Sequence, residues 1–262
     1  MIKKGILFIL CIFVLAGTAA AQQIQSVKGK VKEGYNFLLY TPDSLPADTV
    51  GKPVVVFLHG ASLCGTNLER VKRYGTIDAI QKGRRIDAFV IAPQNPGGAW
   101  NPRKIMNTVD YVVARHKVDT TRIYVLGMSL GGYGSLDFAA TYPDRIAAAI
   151  GICGGATVKD LSGLAEMPLW IVHGTGDRDV AVSQSDRVVK AVKAAQTDSI
   201  DRLAYDRIPG MNHGRPARLL YHAGIYDWLL SHRLNTPERQ ATPTFKLSDA
   251  VFKNAYQGLR SK

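Results

Sequence analysis

Short runs of nearly continuous apolar residues recur along the chain, each separated from the next by a segment of helix length, and no other feature restricts the fold as much. Pro53–Leu58 reads PVVVFL, Ala88–Pro93 AFVIAP, Arg122–Gly127 RIYVLG, Arg145–Cys153 RIAAAIGIC and Pro168–Gly174 PLWIVHG. A strand with one wet face alternates apolar and polar residues, whereas a strand covered on both faces does not. A further, more polar run, RLAYDRIPG, spans Arg202–Gly210. Between the runs lie the helix-length segments Leu68–Gln81, Lys104–His116, Leu130–Tyr142, Gln184–Ala195 and Ala217–Ser231. Strand, helix, strand with short joints predicts an α/β fold, a mainly parallel central sheet with helices on both faces. A ribbon is expected to open it around VKEGYNFLLYTP.

No Pro/Ser-rich linker and no repeat divides the chain, so residues 22–234 are read as one catalytic-sized domain. Residues 235–262 turn polar and lose a clear period; they are expected to wrap the surface or fray, with no role assigned. Residues 1–21 stand apart at the other end. MIKK is a short basic start, GILFILCIFVLAG an apolar run, and TAAAQQ supplies small residues for a signal peptidase. That order predicts a signal peptide cleaved after Ala21 and a secreted or periplasmic protein. The apolar run is short for a span, so no stable membrane insertion is expected after cleavage. Cys11 follows Phe8-Ile9-Leu10 rather than small residues, which argues against a lipid anchor.

The formal net charge is +12, of which Lys3 and Lys4 supply two. The bases are scattered, without runs or interleaved aromatics, so a solvated basic surface is expected and not a nucleic-acid interface. Beyond the leader only Cys64 and Cys153 remain. Their number and spacing do not suit zinc, and export permits a disulfide between them without making one expected.

The stretch VLGMSLGGYG, Val125–Gly134, sets one serine between glycines where a predicted strand ends and a predicted helix begins. Gly127-Met128-Ser129-Leu130-Gly131 fits G-x-S-x-G in the strand–turn–helix setting that gives the pattern meaning. A tight turn holds such a serine in a strained conformation with its hydroxyl raised above the sheet. Side chains at Gly127 and Gly131 are expected to collide across that turn. Ser129 is thus the candidate nucleophile, and a serine hydroxyl needs a base and a group to orient that base.

Those partners are expected later in the chain, acid first. Asp177 stands just past the strand PLWIVHG, where an open parallel sheet presents functional groups. Asp179 is the rival; it leads into Val180-Ala181-Val182, which reads as packing, and the carboxylate not used should be a solvated loop residue. Of the six histidines, His213 alone has the right order and setting, in the loop IPGMNHGRP after the last strand. His59 and His173, each preceding a glycine at a strand end, are read as buried structural residues, and His116, His222 and His232 as surface residues near or within helices. The oxyanion of an acyl transfer needs backbone donors. The amide of Leu130, at the start of a helix, is one candidate; Ala61 in HGASLCG is the other, with Ser62 as runner-up.

These residues resemble the α/β-hydrolase superfamily and, within it, exported bacterial esterases and predicted peptidases related to feruloyl and acetyl-xylan esterases. The resemblance covers about Pro53–Leu230 and rests on PVVVFLHGASLCGTN, VIAPQNPGGAWNP, the block VDTTRIYVLGMSLGGYGSLDFAATYPDRIAAAIGICGG, PLWIVHGTGDRDVAVSQS and PGMNHGRP. It implies Ser129 as nucleophile, Asp177 as acid, His213 as base and backbone at Ala61 and Leu130 as oxyanion hole. It also implies ester hydrolysis through an acyl-enzyme, with no metal and no organic cofactor. The sequence departs from the family at Ala181, where a proline is common, at Gly214-Arg215-Pro216 after the histidine, and at Leu63, where relatives often carry glutamate.

Two residues are candidates for substrate contact. Trp100, in a Gly/Pro/Asn-rich loop, is either a platform for a sugar or aromatic group or a packing residue. Arg215 beside the base either attracts an acidic group or is simply solvated. The expected substrate is a small-molecule or carbohydrate ester. A serine peptidase or aminoacyl hydrolase is the nearest alternative. A lysophospholipase or thioesterase would want an apolar lid segment, which is not evident. A catalytically silent binding module would have no use for a strained serine.

Overall fold

The computed structural model describes residues 23–43, 51–236 and 239–260. The expected leader, residues 1–21, lies outside the described residues. Among those described, no helix is long and apolar enough to cross a membrane.

Eight strands form one sheet in the order β1-β2-β4-β3-β5-β6-β7-β8. They are β1 Gln23–Val27, β2 Phe37–Thr41, β3 Lys52–Leu58, β4 Phe89–Pro93, β5 Val118–Met128, β6 Ala148–Ile152, β7 Leu169–Gly174 and β8 Leu203–Ile208. The β1–β2 ribbon and the β2–β4 pair are antiparallel, and every pairing from β4 to β8 is parallel. This is the α/β architecture read from the sequence.

Continuous apolarity in the central strands has its cause in two separate cores. Val55 and Phe57 face one with Leu126, Trp170 and Val172; Val54, Val56 and Leu58 face the other with Val125, Leu169 and Ile171. Helices α1 (Thr76–Gln81) and α5 (Ala223–Leu230) cover the first face through Ile77, Ile80, Ile225 and Trp228. Helices α2 (Pro102–Val113), α3 (Leu130–Thr141) and α4 (Ser183–Ala195) cover the second through Ile105, Val109, Phe138, Val188 and Val192. Strand β8 pairs on one side only and none of its residues is buried, which accounts for its polar sequence.

Two expected helices are broken, each for a local reason. Leu68–Lys72 is a 3₁₀ turn, and α1 starts only after Gly75 at φ 84°. A Cβ on Gly75 would lie 2.3 Å from the Phe57 ring, so backbone packs directly on the core there. Arg215–Tyr221 is likewise 3₁₀; His222 is extended, and its Nδ1 accepts from the Gly224 amide to cap α5.

The segment after residue 234 does more than wrap or fray. Ala241, Phe252 and Ala255 are buried in the first core, and the Phe245 ring meets Trp170 edge-on at 5.4 Å. Helix α6 (Asp249–Lys253) lies against the 215–221 turn, with Arg218 donating to the Phe252 carbonyl.

Strand order reverses at β3, with β4 on one side and β5 on the other. Open parallel sheets bind ligands at such a switch point, beyond the carboxyl ends of the strands. Leu58 and Gly127 pair at those ends.

Candidate active site

Ser129 follows β5 and caps α3, at φ 59° and ψ −123°. Backbone in that region costs on the order of 1–3 kcal/mol for a non-glycine residue and persists only when its surroundings fix it. Here they do. The Ser129 amide donates to Ile152 of β6 at 2.8 Å, and its carbonyl accepts from Tyr133 at 3.0 Å. A Cβ on Gly127 would stand 2.4 Å from the Gly131 carbonyl oxygen, the collision expected across the turn. The tighter constraint on Gly131 comes from another strand: its Cβ would meet the Leu58 carbonyl oxygen of β3 at 1.8 Å.

Asp177 and His213 come from loops at the ends of β7 and β8. The His213 Nδ1–Asp177 Oδ2 distance is 2.6 Å. The other carboxylate oxygen, Oδ1, accepts from the amides of Asp179 at 2.9 Å and Val180 at 2.8 Å. Burial works to raise the Asp177 carboxyl, but the bonds from His213 and from these amides outweigh it and hold the group below the ordinary carboxylate range. Asp179 is exposed at the rim.

Ser129 and His213 front one cleft of about 550 Å³, together with Gly60, Ala61, Ser62, Tyr74 and Ala217. Among the hydrogen bonds of the described residues none joins Ser129 Oγ to the imidazole, and contacts of this kind often tighten only once substrate is bound.

The Ala61 amide is aimed by its neighbour. His59 Nε2 accepts from the Asn95 amide at 3.1 Å, so its Nδ1 carries the hydrogen and donates to the Gly60 carbonyl at 2.8 Å. Burial lowers the His59 pKa to about 4 and keeps this ring neutral. In a trans peptide the N–H opposes the C=O; with the Gly60 carbonyl turned to His59, the Ala61 N–H faces away from it. The Leu130 amide, first in α3, has no acceptor within its own helix. His59 therefore has the structural role expected of it.

Two sequence candidates are displaced. Trp100 is only 3 % exposed: its ring meets Tyr35 and His59 edge-on, Nε1 donates to the His59 carbonyl, and it is absent from the cleft lining. It packs beneath the site and offers no platform. Arg215 is absent from the cleft lining and pairs with Asp249 of α6 at 2.8 Å, with its guanidinium near the Phe252 ring.

Other neighbours of the site were not legible as such. Tyr74 lines the cleft with its hydroxyl 3.1 Å from Ser62 Oγ, and nothing in the Arg73-Tyr74-Gly75 sequence marks it. His173 touches Asp177, a contact that only their four-residue spacing could have hinted at. Cys153 stands at φ 47° just beyond β6, fully buried, with Sγ 3.9 Å from the His213 carbonyl oxygen. Its donor atom and those of Asp177 and His213 lie within 4.8 Å of one another. Burial and the nearby Asp177 charge push the thiol well up, so it stays protonated beside Asp177 and His213, which are already bonded to each other. Cys64 and Cys153 are both free thiols.

Residues 53–190 match the family model described as alpha/beta hydrolase fold. Poly(3-hydroxyalkanoate) depolymerase C of Paucimonas lemoignei is 26 % identical over 175 residues, covering 59 % of this chain and 40 % of the relative. Acetylxylan esterase A of Aspergillus ficuum is 24 % identical over 227 residues, covering 79 % and 66 %. The chain thus spans well under half of the first relative and about two thirds of the second. A solved thermostable esterase superposes with a TM-score of 0.64 at 23 % identity, covering 81 % of this chain and 63 % of that one, and speaks for the fold.

Proposed function

The chain belongs to the α/β-hydrolase family, and from that premise we propose that it is a serine hydrolase that cleaves carboxylic esters through an acyl-enzyme. One observation carries the reading: a strained serine fronts the same cleft as an imidazole whose far nitrogen is held at 2.6 Å by a buried carboxylate. A carboxylate so placed fixes the tautomer that leaves Nε2 free to take a proton.

In the proposed sequence Ser129 Oγ attacks the ester carbonyl carbon while His213 Nε2 accepts its proton. Negative charge gathers on the former carbonyl oxygen, opposite the amides of Ala61 and Leu130; one such donor is typically worth a factor of about 10²–10³. The C–O bond to the alcohol breaks, and His213 returns the proton to that leaving oxygen. Water, deprotonated by His213, then attacks the acyl-serine, and the acid departs with Ser129 restored. Asp177 orients and stabilises the imidazolium throughout and is not itself protonated.

Of the relatives named above, one is a poly(3-hydroxyalkanoate) depolymerase and one an acetylxylan esterase. They support acyl groups on a small molecule or carbohydrate as the substrate class. Export belongs to the same proposal and rests on the basic, apolar, small-residue order of residues 1–21. A fluorophosphonate probe tests the nucleophile: it should label the protein at Ser129, and labelling of Ser129→Ala at the wild-type level would refute the assignment. A panel of acetylated and feruloylated oligosaccharides, with aminoacyl amides and lysolipids as controls, tests the substrate class.

A further inference from the structure

His173, in β7, is a buried histidine that the hydrolytic sequence above does not use. Its side chain and that of Asp177 are fully enclosed. Nε2 lies 3.1 Å from Asp177 Oδ2 and 3.0 Å from the Val180 carbonyl oxygen. A carbonyl and an ionised carboxylate can only accept, so Nε2 carries a hydrogen and shares it between them. On the far side of the ring, Nδ1 is 2.7 Å from Ser185 Oγ, which in turn lies 2.7 Å from the Gly154 carbonyl oxygen. The ring is thereby wedged between α4 and the loop that carries the acid.

Asp177 Oδ2 is also the oxygen held by His213. One carboxylate oxygen serves two imidazoles, while Oδ1 serves two amides. That occupies the acceptor capacity of the group. His173 also grips Val180, the far end of the same short loop, so both the carboxylate and its backbone stand on this ring.

We infer that His173 is a positioning residue for the acid: by donating to Asp177 Oδ2 it fixes the carboxylate and limits the negative charge offered to His213. The inference rests on the reading of Ser129, His213 and Asp177 as the hydrolytic set. Without this donor the carboxylate is freer to rotate, which lowers turnover. Its charge is also offered more fully to His213, which favours the imidazolium and moves the acidic limb of the pH–rate profile to higher pH. Other ionisable groups around the pair are Asp179, on the same loop and lining the cleft with His213, Cys153 from the end of β6 and Tyr133 from α3. Arg207, in register with His173 on β8, is paired with Asp186 of α4. The hydrogen bonds of the His173 ring go to Asp177, Val180 and Ser185, and to none of these.

The test compares His173→Phe, which fills the space without a donor, with His173→Gln, whose amide reaches toward the same oxygen. For His173→Phe we expect kcat to fall about tenfold with KM changed less than about twofold, the size of one hydrogen bond to a charged group acting on turnover. The acidic limb should move up, and His173→Gln should recover both. NMR of histidine-labelled protein follows His213 without substrate and should show it titrating higher in His173→Phe. Should that variant fail to fold, His173→Asn, too short to reach Oδ2, is read in its place. A folded donor-free variant with wild-type turnover and an unmoved His213 titration overturns the inference, as does a folded His173→Gln that recovers neither. If the wild-type protein cleaves no ester, the functional reading falls by itself and the His213 titration still decides this one.

Discussion

Gly131 sits so close to Leu58 that a single added carbon would meet the Leu58 carbonyl oxygen at 1.8 Å. The serine turn is pressed against the end of β3, which brings Ser129 beside the Gly60–Ala61 peptide. A Cβ on Gly60 would stand only 3.5 Å from that of Ser129. Backbone on backbone cannot yield as a flexible side chain would. Gly131→Ala should therefore cost about 3 kcal/mol or more, read as a lowered denaturant midpoint at unchanged slope, and ester hydrolysis should fall with it.

Ser129→Ala removes an oxygen without entering any hydrogen bond that holds the turn, since the turn is fixed through the Ser129 amide and carbonyl. Its melting temperature should stay close to that of the wild type. Its kcat/KM should drop by roughly 10⁴–10⁶. Calorimetry beside a nitrophenyl ester assay separates the two effects.

Stability should decline as pH falls from about 6.5 to about 4. Burial holds His59 neutral down to about 4 in the folded chain, and does the same for His232, whose Nε2 is enclosed although its place near a helix end reads as surface. The same rings protonate near 6.5 once unfolded. Between those values the unfolded chain binds more protons, so acid favours it. Their contribution is intact above 6.5 and is lost toward 4. Asp177, held low, acts in the same direction at still lower pH. Urea midpoints measured from pH 7 to 4.5 should slope downward, and a neutral replacement of His232 should flatten the slope.

The C-terminal segment offers a contrast between two neighbours. Phe252 is 1 % exposed, and Phe252→Ala should cost about 3–5 kcal/mol. Asp249→Asn breaks an exposed ion pair with Arg215 and should cost less than about 1 kcal/mol. Thermal melts of the two variants check the difference.

What the sequence displayed and what it concealed divide along physical lines. Strands covered on both faces print that condition as unbroken apolar runs, so PVVVFL and PLWIVHG announced β3 and β7 directly. The convergence of Asp177 and His213 was legible through chain order, because parallel strands deliver their loops to one edge in succession. The break before α1 was not, since it depends on Gly75 touching Phe57, a contact between elements. Residues 239–260 seal the first core with isolated side chains such as Phe245 and Phe252, too widely spaced to make a period. Trp100 looks the same in sequence whether it floors a cleft or fills a core. Arg215 finds its partner 34 residues onward, beyond any local signal.

Cys153, sealed beside Asp177 and His213, has a use of its own. A thiol kept protonated and enclosed reacts with alkylating reagents only when its covering moves aside. Because Asp177 and His213 are among its surroundings, with their ligand atoms within 4.8 Å of the sulfur, the rate at which iodoacetamide consumes this one thiol, followed by mass spectrometry, reports how often that part of the site opens.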